Sequence, residues 1–513
     1  MEKYSNDQLT NSELVIGLAC AVGTNIKTVI DLIKNRLQSF GYNSEVIKIS
    51  KQLIEPSLAD EISESSSSYD RINKLMDQGN ELRKKASPSE PYNILASGVA
   101  HCINRIRQDK SKKINKEDTA QIQVPKTAFI VDSLKHPDEV DKLREIYPTG
   151  FYMFVINESE ESRIKYLMYE RNMGKSDAEK LIHRDMEETE KFGQHTRAVF
   201  ELADFHLSAN IHFDTNKYKE RQEILKLQID RILNLIFGNP FITPTFDEYA
   251  MFMAYSSGLR SADLSRQVGA VIAKSHDIVA TGANDVPCFG GGQYWPDSDY
   301  KDFPNGRDYM RGYDSNKQNI QKIVDKIVDL FEYNEEDDDG SNIKMKSRSA
   351  ILSTLKELTE YGRPVHAEMS ALMSCARNGI SIEGATLYCS TFPCHNCAKH
   401  IVSTGIKRVV YIEPYPKSHT LELYSDSITL TGEANKVDFI EFVGIGPRRF
   451  YDLFSLRLST GMRIKRKNED GYCVEWNEKN ARVRCQMIST SYIDKEVIEA
   501  LKWEQREIKK GLD

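Results

Sequence analysis

The 513-residue sequence predicts an α/β protein built from two units, and three observations lead to that prediction. Apolar, strand-sized segments alternate with helix-sized segments through about the first 235 residues. The turn-forming residues Gly-Asn-Pro at 238–240 end this alternation, and a second alternating set starts near residue 247. The length also favours several domains, because single hydrophobic cores stop growing well below this size.

The first unit, residues 1–240, is expected to contain a parallel sheet. Strands are predicted at 13–19, 45–49, 127–132, 151–156 and 205–207. Helices are predicted up to about residue 40, near 72–85 and 92–108, and over 217–237. Strands that alternate with helices in this way are typical of a parallel sheet covered by helices on both faces.

The second unit, residues 241–513, is expected to form α/β/α layers interrupted by a long insertion. The predicted elements are a helix at 248–259, strands at 268–273 and 278–281, a helix at 367–378, a strand at 385–389, a helix at 394–404 and a strand at 408–412. The insertion covers about 287–362, and its acidic run at 335–339 is expected to be a solvated loop rather than a metal site. Residues from about 455 to 513 form a C-terminal extension.

Composition excludes several classes of protein. The hydrophobic fraction of 40% and the charged fraction of 28% are ordinary for a globular protein. No apolar run is long enough to span a bilayer, and the N-terminus lacks the pattern of a secretory signal, so we expect a cytoplasmic protein with no membrane partner. The net charge of −7 argues against a general nucleic-acid coat, and nine scattered cysteines make a disulfide framework improbable in that compartment.

Two short motifs place metal-binding side chains at the starts of two predicted helices. His366-Ala367-Glu368 and Pro393-Cys394-His395-Asn396-Cys397 give the pattern H-x-E … P-C-x-x-C. A catalytic zinc needs three protein ligands and one open position, and His366, Cys394 and Cys397 supply three. The pattern resembles the signature of the zinc-dependent deaminases that act on nucleobases. This resemblance implies that Glu368 moves protons between water, a ring nitrogen and leaving ammonia.

A structural zinc site is the alternative interpretation of the cysteine pair. A lone C-x-x-C is often half of a zinc ribbon, which requires a second pair. The chain contains no second C-x-x-C, which favours the catalytic interpretation. His395 and His400, although close to the cysteines, are expected to be packing or surface residues rather than ligands.

Longer stretches around these motifs resemble the deoxycytidylate deaminase family. They are SADLSRQVGAVIA at 261–273, IVATGAND at 278–285, HAEMSALMSCARNG at 366–379 and TLYCSTFPCHNCAKHIVSTGIKRVVYIEPYPKS at 386–418. The resemblance covers about 247–454 apart from the insertion, and it implies a cytidine-deaminase-like mixed sheet flanked by helices. It also implies that Asn284 hydrogen-bonds the sugar and that residues 390–392 lie along the base. The family usually has Gly-Tyr-Asn-Gly where this chain has Gly-Ala-Asn-Asp at 282–285.

By the same resemblance, further residues are candidates for substrate binding. Ala367 and Thr391 lie in the motifs that would surround the base, and Arg266, Lys417 and Ser418 are candidates for contacts with phosphate. The substrates implied are deoxycytidine nucleotides, and the cofactor implied is Zn²⁺.

The first unit has a loop in the position of a phosphate-cradling loop. Residues 17–28 (GLACAVGTNIKT) follow a strand and open a helix. Candidate nucleotide-binding residues are Gly17, Gly23, Thr24, Lys27, Thr28 and, at the end of the strand AFIVD, Asp132. The spacing departs from G-x-x-x-x-G-K-[ST], because five residues separate the glycines and the lysine comes three residues late. A simple glycine-bearing turn is therefore an equal alternative.

Three arginines on the charged helices of this unit have two interpretations. They resemble the lid of a kinase, and they equally fit solvated helix faces: Arg163, Arg171 and Arg184.

A degenerate P-loop, kinase-like unit joined to a deaminase unit resembles the bacterial anti-phage dCTP deaminases. Residues 128–137 and 442–450 also fit that family. The resemblance implies zinc-dependent hydrolysis of dCTP, and possibly dCMP, to dUTP and dUMP, which depletes the nucleotides a phage needs. It further implies a regulatory or sensing front domain, a homo-oligomer such as a hexamer, a possible allosteric nucleotide and a possible inhibitory small RNA.

Two other functions remain open at this point. A polynucleotide-editing cytidine deaminase needs a basic, aromatic groove for flanking nucleotides, which the acidic balance disfavours. A nucleotide-sensing switch with a secondary deaminase site is disfavoured by the intact H-x-E and C-x-x-C motifs.

Overall fold

The computed structural model describes residues 12–58, 67–85, 92–114, 123–187, 196–209, 215–296, 306–330, 340–355, 358, 360–415, 418–487 and 489–510. The chain divides into two compact units. The first comprises Met1–Glu248 and Phe442–Asp513, and the second comprises Tyr249–Glu441. No helix in the described ranges is long and apolar enough to cross a membrane.

The first unit alternates strands and helices along the chain. Its elements are β1 Leu14–Cys20, α1 Ile26–Ser39, β2 Asn43–Lys48, α2 Ser68–Lys84, α3 Ile94–Ile114, β3 Thr127–Asp132, α4 Pro137–Ile146, β4 Phe151–Asn157, α5 Glu160–Glu170, α6 Lys175–Glu187, α7 Thr196–Glu201, β5 Phe205–Ser208 and α8 Thr215–Ile236. A π-helical turn at Ser50–Ile54 and a 3₁₀ turn at Glu55–Leu58 follow β2.

These strands form a parallel sheet in the order β2-β3-β1-β4-β5. Every residue of β1 and of β4 is buried, which is why both read as continuous apolar runs in the sequence. Apolar side chains cover both faces of the sheet, one cluster including Phe129 and Met153 and the other Ile130 and Phe154. The predicted parallel sheet with helices on both faces is confirmed.

The C-terminal segment belongs to the first unit, which corrects the sequence expectation that residues 442–513 belong to the second. Strand β12 (Gly444–Ile445) pairs antiparallel with β5. The final helix, α17 (Ser489–Lys510), packs on α3. A buried ion-pair group fixes it there: Arg107 binds the carboxylates of Glu13 and Glu496. Removal of one partner from a buried ion-pair group leaves an uncompensated buried charge. Detachment of α17 would therefore be strongly unfavourable.

The second unit carries the remaining elements. They are α9 Phe246–Gly258, which starts just before the unit boundary, β6 Gly269–Lys274, β7 Asp277–Ala283, α10 Asp308–Arg311, α11 Ser315–Asp329, α12 Gly340–Leu355, α13 Ala367–Arg377, β8 Thr386–Thr391, α14 His395–Ser403, β9 Arg408–Glu413, α15 Thr420–Leu423, β10 Ile428–Thr429 and β11 Val437–Glu441. A short helix, α16 (Phe450–Phe454), lies in the C-terminal segment of the first unit.

The sheet of the second unit is mixed, in the order β7-β6-β8-β9-β11-β10. Strands β6 and β7 form an antiparallel hairpin, β6 also pairs antiparallel with β8, and the pairs β8–β9 and β9–β11 are parallel. The carboxyl ends of β8 and β9 therefore meet at one edge. Helix α13 packs directly on β7. A Cβ atom at Gly282 would lie only 2.1 Å from the carbonyl oxygen of Ala367, so this close contact requires glycine.

The insertion contains helices that the sequence reading did not assign. Apolar side chains of α11, at 320, 324 and 328, pack against 351, 352 and 355 of α12. Their four-residue spacing along α11 is the helical signal that was missed. The acidic run at 335–339 lies outside the described residues.

Candidate active site

Two helix N-termini bring the predicted metal ligands together. His366 is the residue immediately before α13, and Cys394 is the residue immediately before α14. Cys397 lies in the first turn of α14 and is buried. The partial positive charge at a helix N-terminus stabilises a nearby thiolate, the form of cysteine that binds metal.

The three donor atoms have the spacing of zinc ligands. His366 Nδ1 lies 3.4 Å from Cys394 Sγ and 3.3 Å from Cys397 Sγ. All three ligand atoms lie within 4.8 Å of one another. In a tetrahedral site with ordinary zinc–nitrogen and zinc–sulfur distances, nitrogen and sulfur ligands are about 3.6 Å apart. One imidazole and two thiols are also a preferred zinc donor set, so the residues fit this metal and leave a fourth position.

The neighbouring histidines do not belong to this group. The ring of His395 lies 6.0 Å from the ring of His419, and His419 Nδ1 is 2.8 Å from a carboxylate oxygen of Glu422. His400 lies in α14, one turn beyond Cys397. The metal group found within the described part of the chain is therefore His366, Cys394 and Cys397 alone.

The electrostatics of the site suit metal binding and proton transfer. The hydrogen bond from Cys397, with a further contribution from His366, lowers the pKa of Cys394 to about 3. Glu368 lies in the first turn of α13 and is only 5% exposed. Burial raises the pKa of Glu368, and the charge of His366 partly offsets this rise. A carboxyl group with a raised pKa holds a transferred proton more readily than an exposed carboxyl group does.

A second set of side chains lies at the carboxyl ends of β8 and β9. Thr391 ends β8, and its hydroxyl donates to Glu413 Oε2 at 2.9 Å. Arg266 Nη1 donates to both carboxylate oxygens of Glu413, at 3.0 and 2.9 Å. Burial raises the pKa of Cys389 above its ordinary value; Glu368 raises it further, and Arg266 lowers it.

Sequence reasoning missed Glu413. It stands at the end of a strand directly beside Thr391, and this pairing of strand ends depends on the register of β8 with β9. The sequence signal was a carboxylate ending an apolar strand next to the motif-bearing strand, but only the sheet order gives it a partner.

The side chain of Asn284 fixes the loop that carries Arg266. Its Oδ1 accepts from the backbone N–H of Val268 at 2.7 Å, and its Nδ2 donates to the carbonyl of Arg266 at 2.9 Å. Asn284, which is predicted to contact the sugar, therefore also has a structural role. Ala367 is fully buried, with its carbonyl against Gly282.

The two remaining candidates for substrate phosphate differ. Lys417 lies outside the described residues. The hydroxyl of Ser418 donates to the carbonyl of Pro393 at 3.2 Å, and Thr420 donates to the same carbonyl at 3.1 Å. Ser418 therefore helps to hold the start of the segment that bears Cys394.

In the first unit, Gly17 lies outside the predicted phosphate loop. Gly17 lies in the middle of β1, where a Cβ atom would approach Leu134 and Phe151 side chains to 2.7 and 2.8 Å. Close packing therefore explains this glycine, and the prediction that it lies in the loop is wrong. A glycine in a strand and a glycine in a loop look alike in a sequence.

The other candidates of that unit lie at or near the loop between β1 and α1. Gly23 has a left-handed φ of +88°, and Thr24 is buried. The side chain of Asn25 caps α1 by accepting from Thr28 N–H at 3.4 Å, while Lys27 is exposed. Asp132 ends β3, and burial raises its pKa.

The three arginines of the predicted lid have separate environments. Arg163 Nη1 donates to the carbonyl of Val22 in the loop at 3.1 Å. Arg171 lies over the ring of Tyr166, and Arg184 pairs with Asp77. Of these three arginines, Arg163 is the one seen to donate a hydrogen bond to the β1–α1 loop within the described part of the chain.

Comparison with known proteins places the zinc motifs within a larger match. A family model described as the cytidine and deoxycytidylate deaminase zinc-binding region matches residues 244–413. The deoxycytidylate deaminase of enterobacteria phage T4 is 33% identical over 168 residues, 32% of this chain and 77% of the phage protein. That of Saccharomyces cerevisiae is 27% identical over 181 residues, 34% of this chain and 40% of the yeast protein.

A solved structure matches a similar share of this chain. The apo dCMP deaminase from the cyanophage S-TIM5 is 18% identical and covers 39% of this chain and 100% of its own, with a TM-score of 0.22.

Proposed function

Because the chain belongs to the deoxycytidylate deaminase family, we propose that it is an enzyme that converts dCTP, and also dCMP, to the corresponding deoxyuridine nucleotide. The observation that carries the proposal is the convergence of His366, Cys394 and Cys397 beside the buried Glu368. These residues lie within the segment matched by the family model.

The reaction replaces the amino group of cytosine with oxygen from water and releases ammonia. His366, Cys394 and Cys397 would hold Zn²⁺, which would supply a Lewis acid that lowers the pKa of water toward about 7. Glu368 carries a first proton from the water to the ring nitrogen as the oxygen bonds to C4 of cytosine. It then carries the second proton of the same oxygen to the amino group, which leaves as ammonia. Its burial supports this role, because a desolvated carboxyl group holds a proton more readily than an exposed one.

We place the nucleotide with its base at Glu368 and its phosphates toward Arg266. Arg266 is about half exposed, with a side-chain exposure of 46%, so its guanidinium is accessible to a ligand. Glu413 holds that guanidinium through two hydrogen bonds, and Thr391 is tied to the same carboxylate. In this arrangement the sugar lies next to Asn284, whose side chain also holds the loop that carries Arg266. Lys417 and Ser418 are further candidates for phosphate contacts.

The biological setting that we propose is depletion of deoxycytidine nucleotides in defence against phage. It is supported by the resemblance of residues 128–137 and 442–450, together with the deaminase motifs, to bacterial anti-phage dCTP deaminases. On the same basis we propose that the kinase-like first unit is regulatory and that the protein is a homo-oligomer. An allosteric nucleotide and an inhibitory small RNA are the corresponding proposed regulators.

A substrate panel tests the proposed reaction. Protein loaded with one zinc per chain is incubated with dCTP, dCMP, deoxycytidine or a cytosine-containing single-stranded DNA, and uracil products and ammonia are quantified. We expect the nucleotides to be converted, with dCTP the best substrate. Conversion of the DNA alone would instead support a polynucleotide-editing enzyme, and absence of ammonia from both nucleotides would refute the proposal.

A further inference from the structure

The loop between β1 and α1 of the first unit presents backbone N–H groups in the manner of an anion site. It follows a buried parallel strand and leads into a 14-residue helix, the setting in which proteins bind phosphate. Gly23, with its left-handed φ, packs its backbone against Arg163, whose carbonyl oxygen would lie 2.9 Å from a Cβ atom there. Gly23 thus allows a tight turn that brings the loop against Arg163.

Two of these N–H groups donate hydrogen bonds to carboxylates of the protein itself. Val22 N–H donates to Asp185 Oδ2 at 2.8 Å, although 163 residues separate the two. Asn25 N–H donates to Glu158 Oε2 at 3.1 Å. The Asp185 side chain is only 1% exposed, and its second oxygen lies 3.3 Å from Lys135 Nζ. Lys135 also donates to the carbonyl of Cys20, at the end of β1, at 2.7 Å.

We propose that the β1–α1 loop is an anion-binding site closed by the protein's own carboxylates, Asp185 and Glu158, and that a phosphate-bearing ligand binds there only by displacing them. The carboxylates make the charge-assisted hydrogen bonds to backbone N–H groups that phosphate oxygens would otherwise make. Asp185 lies in α6, so displacement of its carboxylate must also release α6 from the loop.

Charge balance at the loop supports this competition. The cations that reach it, Lys135 and Arg163, are engaged with Asp185 and with the Val22 carbonyl. A polyphosphate entering beside two carboxylates would meet like charge at short range, which strongly disfavours binding. Lys27, which a standard phosphate loop would direct inward, is exposed.

Thr24 gives an independent indication of a ligand site. It is 5% exposed, and its hydroxyl has no hydrogen-bond partner within the described part of the structure. A buried hydroxyl without a partner costs free energy, and such groups call for an explanation in a folded protein. In this proposal the hydroxyl is left without a partner by the closed arrangement and gains one from the anion.

The experiment measures binding of ATP to the full-length protein at pH 8 by calorimetry, with the wild type compared to Asp185→Asn/Glu158→Gln. These isosteric changes keep the side-chain shape and remove the two negative charges. The matched control is Asp177→Asn/Glu161→Gln, which removes one charge from α6, the helix of Asp185, and one from α5, the helix that follows Glu158, at exposed positions paired with Lys180 and Lys165. Circular dichroism and a cooperative denaturant unfolding transition check that the first unit of each of the three proteins is folded.

We expect the Asp185/Glu158 variant to bind ATP at least about tenfold more tightly than the wild type, and the control to match the wild type, since each charge-assisted contact is strong. Hydrogen exchange should locate the effect: ATP should protect peptides covering 21–28 in the variant and expose peptides of α6. Equal affinity in wild type and variant, or tighter binding without a change at 21–28, would overturn the proposal.

A measurement on the wild type alone guards against a variant that fails to fold. The proposal requires the Val22 and Asn25 amides to be protected from exchange without any ligand. Exchange of these two amides as fast as that of an open loop would also overturn it.

Discussion

Two strand-to-helix edges, one in each unit, differ in how their polar groups are satisfied. In the second unit, His366, Cys394 and Cys397 all offer lone pairs and converge on one point. In the first, N–H donors and carboxylate acceptors meet each other directly, as at Val22 and Asp185. Groups of one kind need an external cation, whereas complementary groups satisfy one another and exclude a ligand. Similar backbone settings therefore give an open site and a closed one.

The difference shows why a strand–loop–helix pattern alone is weak evidence for a binding site. Both edges have helix N-termini, and both lie beside parallel strands. What separates them is the chemistry of side chains that arrive from elsewhere in the chain.

The largest effect is expected from Cys397→Ser. Loss of one of three protein ligands should abolish stoichiometric zinc binding and reduce turnover below detection, because the remaining donors no longer fix the metal. Zinc content by mass spectrometry and product formation from dCTP are the measurements. Cys288→Ser, the same change outside the metal group in the same unit, is the control and should retain both. Full zinc content in Cys397→Ser would show that the ligand assignment is incorrect.

A smaller effect is expected from Arg266→Ala. Loss of a guanidinium contact to phosphate should raise KM for dCTP and dCMP by about tenfold or more, with little change in kcat. Deoxycytidine, which lacks phosphate, should be converted as before. Lys274→Ala, which removes another cation of the same unit, serves as the control. An equal rise in KM for deoxycytidine would contradict a role in phosphate binding.

The smallest effect on turnover is expected from Glu158→Gln in the first unit, where the change should alter stability instead. Burial, opposed by the hydrogen bond from Asn25 and by Arg163, raises the pKa of Glu158 to about 7. Folding thus favours the protonated carboxyl group: its contribution to stability is complete below the ordinary pKa of 4.5 and is lost as pH rises through 7. The Gln variant should differ from the wild type by less than about 1 kcal/mol at pH 5 and be more stable than the wild type by about 3 kcal/mol at pH 8.

Denaturant unfolding at the two pH values measures this difference. Glu161→Gln, an exposed position on α5 paired with Lys165, is the control and should show no pH-dependent gain. A gain for Glu158→Gln that is the same at pH 5 and pH 8 would mean that the carboxyl group does not titrate between them.

The sequence predicted the metal group because its members are local. The ligands and Glu368 fall in two motifs of three and five residues, each at a helix start, and zinc chemistry restricts the residue types. The strands of the first unit were predictable for a related reason, since residues buried on both faces leave long apolar runs.

The features that escaped prediction depend on distant contacts. Asp185 and Glu158 reach the β1–α1 loop across 163 and 133 residues, and no local pattern marks them as its partners. The C-terminal segment was assigned to the second unit because it follows that unit in sequence, although Glu496 pairs with Arg107 in the first. Glu413 becomes part of the site only through strand register.

The most direct test of the account compares wild-type protein with Glu368→Gln, both carrying one zinc per chain. The measured quantity is the rate of ammonia and deoxyuridine nucleotide release from dCTP and dCMP. The account predicts steady turnover by the wild type and a rate lower by about 10²–10⁴ for the variant at unchanged zinc content, because the proton-transferring carboxylate is lost. Undiminished turnover in Glu368→Gln, with zinc still bound, would contradict the assigned role of Glu368.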